Sequence, residues 1–265
     1  MIEANETKIG AAVRDADLRV LVMCLFQITG DRKWLAEPYL PQRDVRLIAP
    51  EDAGFSDEIA EQIWDAAIAE HGTTPVISDP GDELMVEMMS ACLGEPVTPE
   101  YAPMMREEMG FVSRDIDWPE GAARPSVLVV GAGASGIIMG ARLDRMGLDY
   151  DIVERGPSVG GVWRDNRYPG AGVDTPNHAY SFSFARPHRW SRFFSPQADL
   201  ETYLQQTADD CDVTRHVQFE TGLTGAQWDD DTQEWRVELE TPNGSESRSY
   251  QVLISAIGQL NVPKP

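Results

Sequence analysis

One segment, residues 127–154, constrains the fold of this 265-residue chain more than any other. The β-branched run Val127–Val130 feeds a turn, Gly131-Ala-Gly133-Ala-Ser-Gly136, and an apolar pattern of helical spacing follows it. A second apolar run then ends at Glu154, 18 residues after Gly136. The order of strand, glycine turn, helix, strand and acid predicts a βαβ unit with a parallel sheet.

The three glycines of the turn have separate steric roles in binding a dinucleotide. Gly131 permits the tight turn, Gly133 lets the backbone approach a pyrophosphate, and Gly136 lets the helix pack against the strand. The helix N-terminus offers free N–H groups and a positive dipole to the phosphates. Glu154 can accept hydrogen bonds from both hydroxyls of an adenosine ribose, and Arg155 follows this acid without replacing it. These features favour FAD or NAD over NADP.

The loop that follows Glu154 favours the flavin. A nicotinamide dehydrogenase needs only the turn and the acid, whereas this glycine-rich loop carries the large rings of Trp163, Tyr168 and Tyr180, which could bound an isoalloxazine. Hydrophobic packing under a loop is the structural alternative for these rings. For Asp174, the structural alternative is a carboxylate that satisfies a turn.

Residues 160–174 read Gly-Gly-Val-Trp-Arg-Asp-Asn-Arg-Tyr-Pro-Gly-Ala-Gly-Val-Asp. They fit the pattern Gly-Gly-x-Trp-x4-Tyr-Pro-Gly-x3-Asp, so the chain resembles type I Baeyer-Villiger monooxygenases. The resemblance implies that the backbone around Trp163 lies along FAD and that Tyr180 lies near the flavin. It also implies that Asp174 is catalytic, because the family's aspartate lies beside the flavin and holds an active-site arginine of the nicotinamide domain.

The end of the chain resembles the same family. Leu223 occupies the position whose backbone contacts adenine in relatives, and Ala256-Ile-Gly258 resembles the Ala-Thr-Gly that ends a returning strand, with Ile257 replacing the threonine. Asn243-Gly244 predicts a hairpin turn and hence a small meander. The residues expected to bind the cofactor are Gly131, Gly133, Ala134, Ser135, Gly136, Glu154, Arg155, Gly161, Val162, Trp163, Val173, Asp174, Tyr180, Leu223, Ala256 and Gly258.

We expect two domains, a mainly helical N-terminal extension over 1–124 and an incomplete Rossmann-like FAD-binding domain over 125–265. The fold class is therefore α/β. An apolar stripe predicts a helix from about Gly10 to Thr29, and residues 111–126 read as a linker. Ser56 predicts a helix N-cap, and Ser195 predicts the N-cap of another helix that runs to about Asp210. The stretch Gln27–Leu35 resembles the N-terminal extension of 4-hydroxyacetophenone monooxygenase and its relatives.

Composition excludes several classes of function. The formal charge of −22 argues against nucleic acid and anionic membranes, because both attract basic surfaces. The longest apolar run, Val20–Phe26, is far shorter than the roughly 20 residues that span a bilayer. No signal peptide is visible and the cysteines are widely spaced, so we expect a cytoplasmic protein without a metal site.

The resemblance implies an enzyme that inserts one oxygen atom of O2 into a small hydrophobic ketone to give an ester or lactone. NADPH would be the reductant, and the second glycine motif that should bind it is absent. Residues 261–265 read as a linker, and we expect a divided enzyme in which a second polypeptide carries the NADP-binding domain. A fragment of a longer enzyme is the alternative. Other functions left open are a flavin N- or S-oxygenase, an NAD-dependent dehydrogenase and a non-catalytic flavin-binding subunit.

Overall fold

A computed structural model describes residues 2–42, 52–113, 115–185 and 188–260 of the chain. The chain divides into two compact units, Met1–Arg114 and Asp115–Pro265. The linker expected at residues 261–265 lies outside the described residues.

The first unit is helical, as expected. In its described part the helices are α1 (Ile2–Arg14), α2 (Leu18–Thr29), α3 (Asp57–Ala69), α4 (Gly81–Leu93) and α5 (Ala102–Glu108), with 3-10 turns at Arg32–Leu35 and Pro99–Tyr101. Helices α2, α3 and α4 share an apolar core around Phe26, Ile63 and Met88. The expected cap is confirmed, because Ser56 Oγ accepts a hydrogen bond from the Ile59 N–H at 3.4 Å.

The single helix expected from Gly10 to Thr29 is wrong. The chain leaves the helical conformation after Arg14, and Asp17 adopts an extended conformation as the N-cap of α2. Its carboxylate accepts a hydrogen bond from the Arg19 N–H at 2.9 Å. The capping bond satisfies a backbone donor that a continuous helix would have bonded internally, so a second helix begins here.

The second unit contains the predicted parallel sheet. Its strands are β1 (Val127–Val130), β2 (Tyr150–Val153), β3 (Val217–Gln218) and β7 (Val252–Ser255), and they lie in the order β3-β2-β1-β7. Both neighbours of β1 run parallel to it. Helix α6 (Ala134–Arg145) connects β1 to β2, so the α/β fold with a Rossmann-like βαβ unit is confirmed. A short helix, α7 (Val162–Asp165), follows β2 along the chain.

The two faces of this sheet are covered by different layers. Val129 and Ile152 point to one face and pack in a core that includes Ile137 of α6 and Leu204 of α8 (Gln197–Asp210). Leu128 and its neighbour Val153 point to the other face, where they meet the inner side chains of an antiparallel meander, Val237, Leu239 and Tyr250. Burial on both faces explains why β1 is apolar throughout.

The meander forms as the hairpin signal predicts. Strands β4 (Gly222–Asp229), β5 (Glu234–Thr241) and β6 (Gly244–Tyr250) pair in sequence order, and Thr241 lies opposite Gly244 across the second turn. Alternate residues of β5 are buried, as its sequence indicates.

Two boundaries differ from the expected ones. Ser195 was expected to cap α8, but the N-cap position is Pro196 and has no side-chain hydrogen bond. The division between the units lies at 114/115 and not at 124/125. Asp115 pairs with Arg142 and Arg145 on α6, so the expected linker from 115 onward packs on the second unit.

Candidate cofactor-binding site

Two glycines of the turn after β1, Gly131 and Gly136, have no room for a side chain. Gly131 has a φ of +103°, and a Cβ there would lie 2.7 Å from the carbonyl oxygen of Ala256. A Cβ at Gly136 would lie 2.0 Å from the carbonyl oxygen of Gly131. Helix α6 therefore sits directly against the strand, as the motif predicts.

The N-terminus of α6 is open to a ligand. Its N-cap is Gly133, which has no side chain to occupy the first N–H groups of the helix. Gly161 faces this point, and a Cβ on Gly161 would lie 2.9 Å from the Cα of Gly133. The amide of Gly160 also donates to the Ala132 carbonyl at 2.9 Å. The glycine turn and the later Gly-Gly segment therefore form one small-residue cradle beside a helix N-terminus, which suits a pyrophosphate.

A cleft of about 740 Å³ opens along this cradle, within the size range of small-molecule sites. Most of the residues predicted to bind a cofactor line it: Gly131, Gly133, Ala134, Ser135, Glu154, Arg155, Gly161, Val162, Trp163, Tyr180, Leu223, Ala256 and Gly258. Gly136, Val173 and Asp174 do not. Gly136 lies beneath the turn, so its contribution is to packing.

The carboxylate at the end of β2 accepts hydrogen bonds from within the protein. Glu154 is 5% exposed. Its Oε2 accepts from the Ala132 N–H at 2.8 Å, and its Oε1 accepts from the Gly156 N–H at 2.7 Å and from Arg164 Nη1 at 3.1 Å. These three donors fix the carboxylate in the wall of the cleft.

Arg164 is a cleft residue that the sequence analysis missed. Its pKa is raised above the ordinary arginine value, first by its hydrogen bond to Asp165, against the opposing effect of burial, and then by Glu154. Gly156 carries a signal for it, since a glycine two residues after the motif acid leaves space for a buried side chain. The glycine can be interpreted in this way only when the structure shows Arg164 beside it.

Two of the predicted rings form one end of the cleft. Trp163 Nε1 donates to the Tyr180 hydroxyl at 3.0 Å, and the two rings are 5.7 Å apart and nearly perpendicular. Gln197 of α8 donates to the carbonyl of Trp163, which fixes the backbone beneath the ring. Tyr168 is exposed and does not line the cleft.

Asp174 lies outside the cleft lining and is exposed. In the described part of the chain, its carboxylate has one hydrogen bond, from Thr175 Oγ1 at 3.4 Å. A carboxylate that served to satisfy a turn would accept backbone N–H groups, and none among the described residues donates to it. Asp174 is therefore free to bind a group outside this chain.

The returning strand closes the cradle from the other side. The Ala256 N–H donates to the Val130 carbonyl at 2.8 Å, and Gly258 has a φ of +68°. Ile257, which replaces the usual threonine, lines the cleft and is largely exposed.

The described residues contain no cluster of three or more potential metal ligands and no helix long and apolar enough to cross a membrane.

The chain is similar to several known proteins. A family model described as an NAD(P)-binding Rossmann-like domain matches residues 129–196. The uncharacterized monooxygenase y4iD of Sinorhizobium fredii is 34% identical over 97% of this chain and 40% of its own length. The Baeyer-Villiger monooxygenase of Streptomyces coelicolor is 42% identical over 52% of this chain and 26% of its own length.

A solved structure of OTEMO in complex with FAD and NADP is 32% identical, with a TM-score of 0.50, over 54% of this chain and 27% of that protein. The homologues of this chain are thus flavin-dependent monooxygenases. The chain spans about two fifths of the y4iD monooxygenase and about a quarter of the other two proteins.

Proposed function

We propose that this chain is the FAD-binding part of a flavin-dependent monooxygenase of the Baeyer-Villiger type. The observation that carries the proposal is a single cleft that joins the glycine cradle, the acid Glu154 and the ring pair Trp163–Tyr180. A nicotinamide site of this fold needs the cradle and the acid, whereas the ring pair adds a surface suited to an isoalloxazine. The FAD-binding relatives support the same choice.

The residues present fit FAD. The side-chain-free cradle at Gly133 and Gly161 and the uncapped start of α6 would hold the pyrophosphate. Glu154 would accept from the adenosine ribose, and Trp163 and Tyr180 would bound the ring system. Bound FAD would supply the redox chemistry, passing electrons from NADPH to O2.

The proposed reaction is insertion of one oxygen atom into a hydrophobic ketone, giving an ester or lactone. Support comes from the motif over residues 160–174 and from the Baeyer-Villiger monooxygenase of Streptomyces coelicolor. Asp174, exposed and nearly free of internal partners, would hold an arginine at the reacting centre. The arginine could then stabilise negative charge that develops during oxygen transfer.

The NADP-binding domain would come from polypeptide beyond these 265 residues. Support for this comes from length, because the chain spans about two fifths of the y4iD monooxygenase. We favour a second polypeptide as its source, and a continuation of this chain is the alternative. Co-purification from the native source distinguishes them, since a separate subunit runs as its own band and a continuation does not.

The cofactor is tested by titrating the purified chain with FAD, NAD and NADPH. We expect FAD to bind more tightly than either nicotinamide dinucleotide and to give a yellow protein. Gly133→Asp should abolish FAD binding by charge repulsion with the pyrophosphate while the chain stays folded, because a Cβ at this position makes only ordinary contact with Gly161, at 3.5 Å.

Gly133→Ala is the matched control, since it adds a methyl group without charge. It should bind FAD more weakly than the wild type but more tightly than the aspartate variant. A colourless protein that takes up NAD and no flavin would contradict the proposed function and favour a dehydrogenase.

A further inference from the structure

A buried guanidinium lines the cofactor cleft and has no part in the function proposed above. The side chain of Arg164 is 7% exposed. Its Nε and Nη2 donate to the two oxygens of Asp165 at 2.7 and 3.0 Å. Its Nη1 donates to Glu154 Oε1 at 3.1 Å and also to the carbonyl of Ser158. The protein therefore uses four of the five N–H donors of the guanidinium.

The chain around Arg164 is arranged to hold this group in place. A Cβ at Gly156 would lie 2.2 Å from Arg164 Nη1, so a side chain at residue 156 would displace the guanidinium from this position. Asp165 and Glu154 together carry two negative charges against one positive charge. Four donors of the guanidinium are thus committed to acceptors within the protein.

The contacts of Glu154 limit what it can accept from a ligand. An ionised carboxylate has about four acceptor positions. The Ala132 and Gly156 amides and Arg164 occupy three of them. About one position remains, and Glu154 lies in the wall of the cleft. The expectation that Glu154 binds both ribose hydroxyls therefore changes to one.

We propose that Arg164 is a positioning residue that holds Glu154 with one acceptor free, so that the cleft recognises one of the two adenosine ribose hydroxyls of FAD. The inference rests on the proposed function, because it takes FAD as the ligand. Arg164 acts through Glu154 and does not itself contact the cofactor. The two hydrogen bonds to Asp165 matter because they prevent the guanidinium from turning away from Glu154.

The wild-type chain tests the first half of the proposal without any mutation. ADP, 2′-deoxy-ADP and 3′-deoxy-ADP are each used to displace FAD, with flavin fluorescence as the signal. Loss of one hydrogen bond to a charged group should weaken one deoxy compound by about tenfold or more relative to ADP. The other should bind within about twofold of ADP, because Glu154 has no second acceptor to offer. Equal losses for both compounds would overturn the proposal.

Arg164→Met tests the second half. Without the hydrogen bond from Arg164, Glu154 can turn and offer a second acceptor to the ribose. The affinities of the two deoxy compounds should then differ by no more than about twofold. FAD affinity should also fall by about tenfold or more, because the carboxylate is no longer held in place. A folded Arg164→Met protein that keeps the wild-type preference between the two deoxy compounds would overturn the proposal.

Two further variants separate positioning from folding. Arg164→Lys keeps the positive charge but cannot make both hydrogen bonds to Asp165. The preference between the two deoxy compounds should therefore be weaker, although the protein retains its buried cation. If Arg164→Met does not fold, this variant decides the question, and an unchanged preference in it would overturn the proposal. Arg215→Met removes an exposed arginine paired with Asp144 in the same unit and should leave FAD affinity and ribose preference unchanged.

Failure of the proposed function gives a different result. A wild-type chain that binds ADP but neither FAD nor any other flavin would overturn the flavin assignment, and this inference with it. A wild-type chain that binds FAD but fails the ribose comparison would overturn only the role of Arg164.

Discussion

The side-chain amide of Asn177 is fully buried and joins two loop segments beside the cleft. Its Nδ2 donates to the Arg192 carbonyl at 2.6 Å and to Ser195 Oγ at 2.7 Å, and its Oδ1 accepts from the Ser195 N–H at 3.0 Å. Three residues before it lies Asp174. The amide therefore fixes the backbone that carries the proposed catalytic carboxylate.

Asn177→Ala should lower the free energy of unfolding of the second unit by about 2–4 kcal/mol, because it leaves buried donors and acceptors of the 192–195 segment without partners. Thermal unfolding measures this loss, and we expect a fall in melting temperature of at least about 5 °C. The matched control is His178→Ala at the next, exposed position, which should change stability by no more than about 0.5 kcal/mol. Equal melting temperatures for the two variants would contradict the role of Asn177.

Elements formed by local sequence could be predicted, and those decided by distant partners could not. The turn from Gly131 to Gly136, strand β2 and the hairpin at Gly244 depend on residues close in sequence, and the structure has all three. Ser195 was expected to cap α8 from its position alone. In the structure its hydroxyl and amide bond to Asn177, which is 18 residues away.

The same limit applies to the site and to α2. Arg164 joins Glu154 across ten residues, so a linear pattern shows neither the pairing nor the reason for Gly156. The break before α2 was missed because the apolar stripe continues on both sides of it. An aspartate can occupy a helix interior as well as an N-cap, so the sequence does not distinguish the two. The extended backbone conformation of Asp17 shows that it is the N-cap of α2.

Asp17→Ala should destabilise α2 by about 1 kcal/mol through loss of the N-cap. Hydrogen exchange of the α2 amides should then be about fivefold faster in the variant at neutral pH. The control is Asp15→Ala, which removes an exposed acid that does not cap the helix and should leave these rates unchanged.

The effect of Asp17→Ala should depend on pH with a definite sign. The hydrogen bond from the Arg19 side chain holds the pKa of Asp17 below its ordinary value in the folded chain. Stability from a carboxyl with a lowered pKa is fully present above the unfolded pKa and is lost as the pH falls through the folded one. The ratio of variant to wild-type exchange rates should therefore shrink below about pH 4. A ratio that stays constant into strong acid would contradict the capping role.

At the scale of the whole molecule, the chain carries more than half of its net charge in one unit and spans about two fifths of the y4iD monooxygenase. The N-terminal unit, residues 1–114, holds 22 acidic and 9 basic residues, a net charge of −13 out of −22, so it would repel anionic partners. The proposed reaction also needs a nicotinamide site and an arginine that we place in the remaining polypeptide. Asp174 is the residue of this chain that should meet it.

Asp174→Asn should therefore affect oxygen transfer in the complete enzyme and leave folding and FAD binding nearly unchanged. The side chain is exposed, lies outside the cleft lining and has one long hydrogen bond within the described residues. Losing a hydrogen bond to a charged partner costs about 1.5–3 kcal/mol, which corresponds to roughly a tenfold to hundredfold loss in the oxygenation steps. NADPH should still be consumed, with hydrogen peroxide released in place of ester.

The measurements are the ester formed per NADPH oxidised and the melting temperature, both made on the same assembled variant. Thr175→Val is the control, because it removes the hydroxyl that donates to Asp174 while keeping the carboxylate charge, and it should leave the coupling close to that of the wild type. A structural role for Asp174 predicts the reverse, a lower melting temperature with unchanged coupling. That outcome would remove Asp174 from the catalytic residues, because a carboxylate that orients the arginine cannot be neutralised without affecting oxygen transfer.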